Sequence, residues 1–142
     1  AILHDVDHID IGAPWTRKYM ASVNISENDE KELNDIFNRI KNIHDALTEE
    51  DKKVAQKIYR RTHLISIIPI TKRSIEDGLS VEEFQKWIMI FFAGNRATIS
   101  KVYNDAAGAG SGKHSSVIKR LEEIKKSYDE FIVKEVGDKN VA

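Results

Sequence analysis

Cysteine is absent from this 142-residue chain. That excludes a disulfide framework and a thiolate metal site together, and it makes a reducing compartment, the cytoplasm, the expected location. No apolar run approaches the roughly 18 residues that cross a bilayer, and the opening residues lack the basic and apolar regions of a signal peptide. The chain therefore reads as soluble, with no membrane contact. Proline occurs twice, as Pro14 and Pro69. The 41% hydrophobic content is enough for one ordinary domain to bury a core without staples. The chain begins at Ala1 without an initiator Met, which reads as a piece of a longer protein.

A formal net charge of -1 hides strong segregation. Residues 1–51 are rich in acids, whereas 52–73 carry Lys52, Lys53, Lys57, Arg60, Arg61, Lys72 and Arg73 with no acid among them. A second basic block, 94–120, sets five bases against Asp105 alone. Two basic blocks in an otherwise acidic chain suit a nucleic-acid footprint. They equally suit acidic and basic helices that neutralise one another across the fold.

The spacing predicts an all-α fold: a single bundle of five or six helices around a central apolar helix. Residues 1–25 form an irregular lead-in, 26–134 the helical domain and 135–142 a frayed tail. In the lead-in, His4-Asp5-Val6-Asp7-His8-Ile9-Asp10 invites a metal reading, but it matches neither a zincin pair nor a calcium loop, so no metal site is assigned. Trp15 and Tyr19 are expected to pin this segment to the body. Ser26 caps the first helix, whose Leu33, Ile36, Phe37, Ile40, Ile43 and Leu47 form one apolar stripe. Thr48 is expected to cap a second helix with Asp51 in its first turn and Val54, Ala55, Ile58 and Tyr59 on its apolar face.

The central segment, Thr62–Gly78, is apolar on nearly every side through Leu64, Ile65, Ile67, Ile68 and Ile70. Pro69 predicts a kink or a nearby break. Ser80 and Glu83 make a capping box that opens a helix through Phe84, Trp87, Ile88, Phe91 and Phe92 to Gly94. Ile99, Val102 and Tyr103 indicate a short fifth helix ending before Gly108. Leu64, Ile68, Phe84, Trp87, Ile88, Leu121 and Ile124 are expected to share one core.

Ala106-Ala107-Gly108-Ala109-Gly110-Ser111-Gly112-Lys113-His114-Ser115-Ser116 is the most chemically pointed stretch. It is similar to a phosphate-binding P-loop, but Ala107 replaces the first glycine, His114 replaces the hydroxyl after the lysine, and a helix is expected where a strand is needed. Nucleotide hydrolysis is therefore not expected. No Ser/His/Asp set, functional carboxylate pair or metal cluster stands out, so the chain carries no catalytic residue and no cofactor. A milder use remains, in which the glycine loop leads into a helix N-terminus that suits an anion such as a DNA phosphate. Lys113, Ser115, Ser116, Lys119 and Arg120 are the candidate contacts. The last helix is expected to carry Val117, Ile118, Leu121, Ile124, Tyr128, Phe131 and Ile132 on one face, with Lys119 and Arg120 flanking the stripe of Ile118 and Leu121. A double change to Glu at both is expected to weaken DNA binding and keep the fold. The simpler alternative is that the serines cap the helix and the glycines turn the chain.

Arg61-Thr62-His63-Leu64-Ile65-Ser66, the aromatic Trp87–Phe92 helix, Tyr103, and Ala107–Ser111 leading into Ser116-Val117-Ile118-Lys119-Arg120-Leu121-Glu122 carry a resemblance. From about Gly12 to Phe131, the chain resembles the helical region downstream of the ParB-like nuclease domain in the family of unknown function related to the GmrS half of bacterial GmrSD-type modification-dependent restriction systems. The acidic-Gly-Gln-Gln-Arg-Leu signature of that family and the His-Asn-His motif of its partner half are both absent here. The resemblance thus implies a non-catalytic accessory domain of a larger defence or DNA-processing protein, with nuclease or NTPase activity elsewhere in the parent. DNA and other domains of the same protein are the implied partners. A structural or oligomerisation module without nucleic-acid contact is the competing reading.

Overall fold

Helix initiation is written locally in this chain. The computed structural model describes residues 26–93, 101–108 and 110–141 and shows an all-α bundle of six helices. These are α1 (Glu27–Glu50), α2 (Lys52–Ile58), α3 (Arg61–Glu76), α4 (Val81–Phe92), α5 (Lys101–Ala106) and α6 (His114–Val141). The lead-in with its His4–Asp10 and Trp15/Tyr19 features, together with Gly94 and Ile99, lies outside the described residues. So do the side chains beyond Glu135. None of the described helices is long and apolar enough to cross a membrane.

Ser26 and Asp29 close a reciprocal capping box on α1, as Ser80 and Glu83 do on α4. Each box satisfies otherwise orphaned N–H groups and places acids at the positive end of the helix dipole. The second helix starts differently from expectation. Thr48 is still inside α1 and donates its hydroxyl to the His44 carbonyl, 2.8 Å away. Asp51 is the cap instead, its Oδ1 accepting from the N–H groups of Lys53 and Val54 at 3.1 and 3.2 Å. Its own N–H donates to the Leu47 carbonyl at 2.7 Å, so one residue ends α1 and starts α2. A carboxylate offers a stronger acceptor than a hydroxyl, which is why the later candidate prevails.

The third helix runs through Pro69 without a break. Gly78 follows at φ +72°, the left-handed conformation that glycine adopts without a Cβ penalty. Its inner seam is less apolar than expected, because His63, Ser66, Thr71 and Ser74 are buried beside Ile67, Ile68 and Ile70. Thr71 donates to the Ile67 carbonyl at 2.8 Å and Ser74 to the Thr71 carbonyl at 2.7 Å. Bonding back to their own helix makes these hydroxyls acceptable in a core. Leu64 and Ile65 are only half-buried.

The interior is completed by α4 and α6. Phe84, Trp87, Ile88, Phe91 and Phe92 are all buried, as their spacing predicts. Trp87 lies edge-on to Tyr128, with ring centroids 5.7 Å apart, and donates Nε1–H to Ser127 Oγ at 3.3 Å. The first helix packs on α2, α3 and α4, while α3, α4 and α5 pack on α6. Leu121, expected in this core, is half-buried at its margin beside Pro69 and Ile70.

Candidate anion-binding site

The buried seam of α6 is Val117, Arg120, Ile124, Tyr128 and Phe131. Residues three and four apart share a helix face, so this set is one stripe. Ile118, Leu121 and Ile132 form a neighbouring stripe and are half-buried. The sequence places both stripes on one broad apolar face, of which Val117, Ile124, Tyr128 and Phe131 are buried, and sets Arg120 on its flank. The structure centres the buried side of that face on Val117, Ile124 and Tyr128 and puts Arg120 at a core position with 0% exposure. Arg120 is therefore no surface phosphate contact, and its change to Glu would not leave the fold intact. Among the other candidates, Lys113, Ser115 and Lys119 are exposed and Ser116 is half-buried.

A long helical side chain leans toward the N-terminus of its helix. Arg120 follows that rule, and its guanidinium reaches back to the loop between α5 and α6. Nη1 donates to the carbonyls of Ala106 and Ser111 at 2.7 and 2.8 Å. Within the loop, Ser111 N–H donates to the Gly108 carbonyl and Lys113 N–H to the Gly110 carbonyl, with Gly110 at φ +76°. Nε and Nη2 of Arg120 are buried and have no hydrogen-bond partner. Burial pushes its pKa down, opposed by the Tyr103 oxygen, but a guanidinium remains charged throughout the accessible pH range.

Beside Arg120 lies a compact polar cluster that sequence reasoning missed. His63 Nδ1 is 2.9 Å from Tyr103 Oη, and the two rings are nearly parallel, 17° apart. Ser66 hydrogen-bonds the same phenol and donates to the Thr62 carbonyl at 3.4 Å. Burial first, and then repulsion by Lys57, Arg60 and Arg120, lowers the His63 pKa from the usual 6.5 to about 4. Burial also pushes the Tyr103 phenol up to about 12. Both groups are neutral at ordinary pH. The signal that could have found them was a polar residue on each buried turn of α3, which an overall apolar composition concealed.

His63 also shows that the two basic blocks, distant in sequence, converge in space. Lys57 and Arg60 belong to the first block and Arg120 to the second, yet all three repel a proton from the same imidazole. Lys57 Nζ lies 5.9 Å from the centroid of the Phe92 ring, against which His63 also packs edge-on. No helix of this region has acid in its first turn: α2, α3 and α6 contrast with acid-started α1 and α4. At α3 the N-cap is Arg60, without a side-chain cap bond, followed by exposed Arg61. Bases at the positive end of a helix dipole each cost about 0.3–1 kcal/mol, a penalty an incoming anion reverses.

Among the described residues no group of three or more His, Asp or Glu could hold a metal ion. The glycine loop follows helix α5, not the strand a P-loop requires. No family model matches this chain, and no match emerges among curated proteins or solved structures.

Proposed function

We propose that this chain is a non-catalytic helical accessory domain of a larger DNA-processing protein of the restriction type, contacting DNA through phosphates. The observation that supports it most is the convergence of the two basic blocks around His63, with α3 beginning at Arg60 and Arg61 and both α3 and α6 lacking first-turn acids. Exposed Lys113, Ser115 and Lys119 lie at the start of α6, and Lys52, Lys53, Arg60 and Arg61 are exposed on the first block. Such contacts position a protein on a duplex without reading its sequence.

The test is fluorescence anisotropy with two unrelated labelled duplexes, each at two salt concentrations. A Lys113→Glu, Lys119→Glu variant changes only exposed side chains, so it should keep its circular dichroism spectrum. Its binding should weaken about equally on both duplexes, with a shallower dependence on salt. Unchanged affinity would move the contact to Lys52–Arg61. Absence of binding by the parent chain at low salt would leave a structural or oligomerisation module.

A further inference from the structure

The bonding of Arg120 is lopsided in a chemically specific way. Nη1 is committed to the carbonyls of Ala106, at the end of α5, and Ser111, whereas Nε and Nη2, the two nitrogens that make the side-on fork of a guanidinium, have no partner. That fork presents two parallel N–H bonds and matches two oxygens of a carboxylate or phosphate. No carboxylate of the described residues occupies it, and the neighbouring groups that act on Arg120 and His63 are the Tyr103 phenol and further cations. A buried charge held in this way costs several kcal/mol unless a counter-charge joins it. A water molecule would accept the hydrogen bonds but bring no charge.

We propose that the Nε–Nη2 edge of Arg120 is a bidentate receptor for one phosphate oxyanion, admitted by displacement of residues 110–112 before α6. That segment suits the movement: Gly110, Ser111 and Gly112 carry little side-chain bulk. The field of Lys57 and Arg60 reaches the same spot, since both act on His63 alongside Arg120. Because Arg120 is wholly buried, a mid-strand phosphate of a duplex cannot reach the fork. The ligand is free phosphate or the terminal phosphate of a nucleic-acid strand. The inference rests on the phosphate-contact reading only for its choice of oxyanion.

The experiment follows thermal unfolding of the whole chain in millimolar inorganic phosphate and in sodium chloride of equal ionic strength. Wild type should gain a saturable rise in unfolding midpoint with phosphate and not with chloride, as expected for a ligand bound only by the folded state. Arg120→Lys keeps the charge and a donor for the two carbonyls but has no fork, so it should lose that rise. Lys119→Glu, on the exposed face, should keep it. Equal responses of wild type to the two salts would overturn the proposal, and so would a phosphate response that survives in Arg120→Lys. Should Arg120→Lys fail to fold, phosphorus NMR line broadening of inorganic phosphate by wild type decides, and sharp lines overturn it. A 5′-phosphorylated strand that outbinds its 5′-hydroxyl counterpart, with inorganic phosphate as competitor, assigns the fork to strand ends. Equal binding of the two strands beside a positive phosphate response assigns it to free phosphate. Duplex binding lost in Lys113→Glu, Lys119→Glu leaves these readouts untouched, so the two readings fail separately.

Discussion

The inner seam of α6 meets an arginine and a tyrosine twice, and the two encounters are built on opposite terms. Toward its C-terminal half, Arg73 of α3 lies over the Tyr128 ring, 4.9 Å from its centroid. Asp129 pairs with that guanidinium and Asp77 stands 3.6 Å from its Nε. The Tyr128 hydroxyl donates to Asp77 at 2.9 Å, so carboxylates balance the cation here even though Arg73 Nη1 is buried without a hydrogen-bond partner. Toward the N-terminal half, Arg120 and Tyr103 have His63, Ser66 and backbone carbonyls around them, but no carboxylate of the described residues. The first cluster is partly exposed and neutralised from within. The second is sealed, and no carboxylate of the described residues balances its charge.

The largest expected effect tests whether the aromatic end carries the fold. Trp87→Ala, at a fully buried position packed on Phe84, Phe91 and Tyr128, should cost about 3–5 kcal/mol in denaturant unfolding. A cost below that of any change at the His63 cluster would invert the comparison.

The next effect is a pH dependence peculiar to the sealed end. Burial first, then cationic neighbours, hold His63 at a pKa of about 4 against 6.5 when unfolded. Between those values the unfolded chain binds more protons, so stability is full above about pH 6.5 and falls as pH drops toward 4. The loss should reach about 3 kcal/mol, and His63→Gln should remove most of that slope. Denaturant melts of both chains from pH 7 to pH 4 check it, and parallel slopes would place the titration elsewhere.

A smaller contrast separates the two phenols. Tyr103→Phe leaves His63 Nδ1 buried without its partner and should cost about 1–3 kcal/mol. Tyr128→Phe frees Asp77, whose side chain is 36% exposed and can turn to water, so about 1 kcal/mol or less is expected. Equal costs would mean that the sealed end relaxes as readily as the open one.

Local chemistry was legible in the sequence wherever it had no rival. Ser80 with Glu83 announced α4, and Phe84, Trp87, Ile88, Phe91 and Phe92 recur at helical spacing on one buried face, which leaves Ile90 exposed. The seam of α6 had two apolar phases one residue apart, Val117/Ile124 and Ile118/Leu121. Together they read as one broad face, and hydropathy alone places an arginine outside it, so the burial of Arg120 between Val117 and Ile124 is not legible from the pattern. The cap of α2 has rivals too, since Thr48 and Asp51 are both capping residue types and the stronger carboxylate acceptor prevails. The His63–Ser66–Tyr103 cluster joins α3 to α5 across a separation of 40 residues, and no local pattern specifies such a meeting.

The double role of Asp51 has a consequence for how this protein can vary. With a single residue serving as the end of α1 and the cap of α2, the joint has no spare length. Exchanges among Asp, Asn and Ser keep an acceptor for the Lys53 and Val54 amides and should be tolerated there. Insertions should not be, because an added residue separates the stop signal from the start signal and shifts Val54, Ala55 and Ile58 away from the positions they fill beside α1. Among related sequences, length differences should therefore gather in the glycine loop before α6, and this elbow should change in letter but never in spacing.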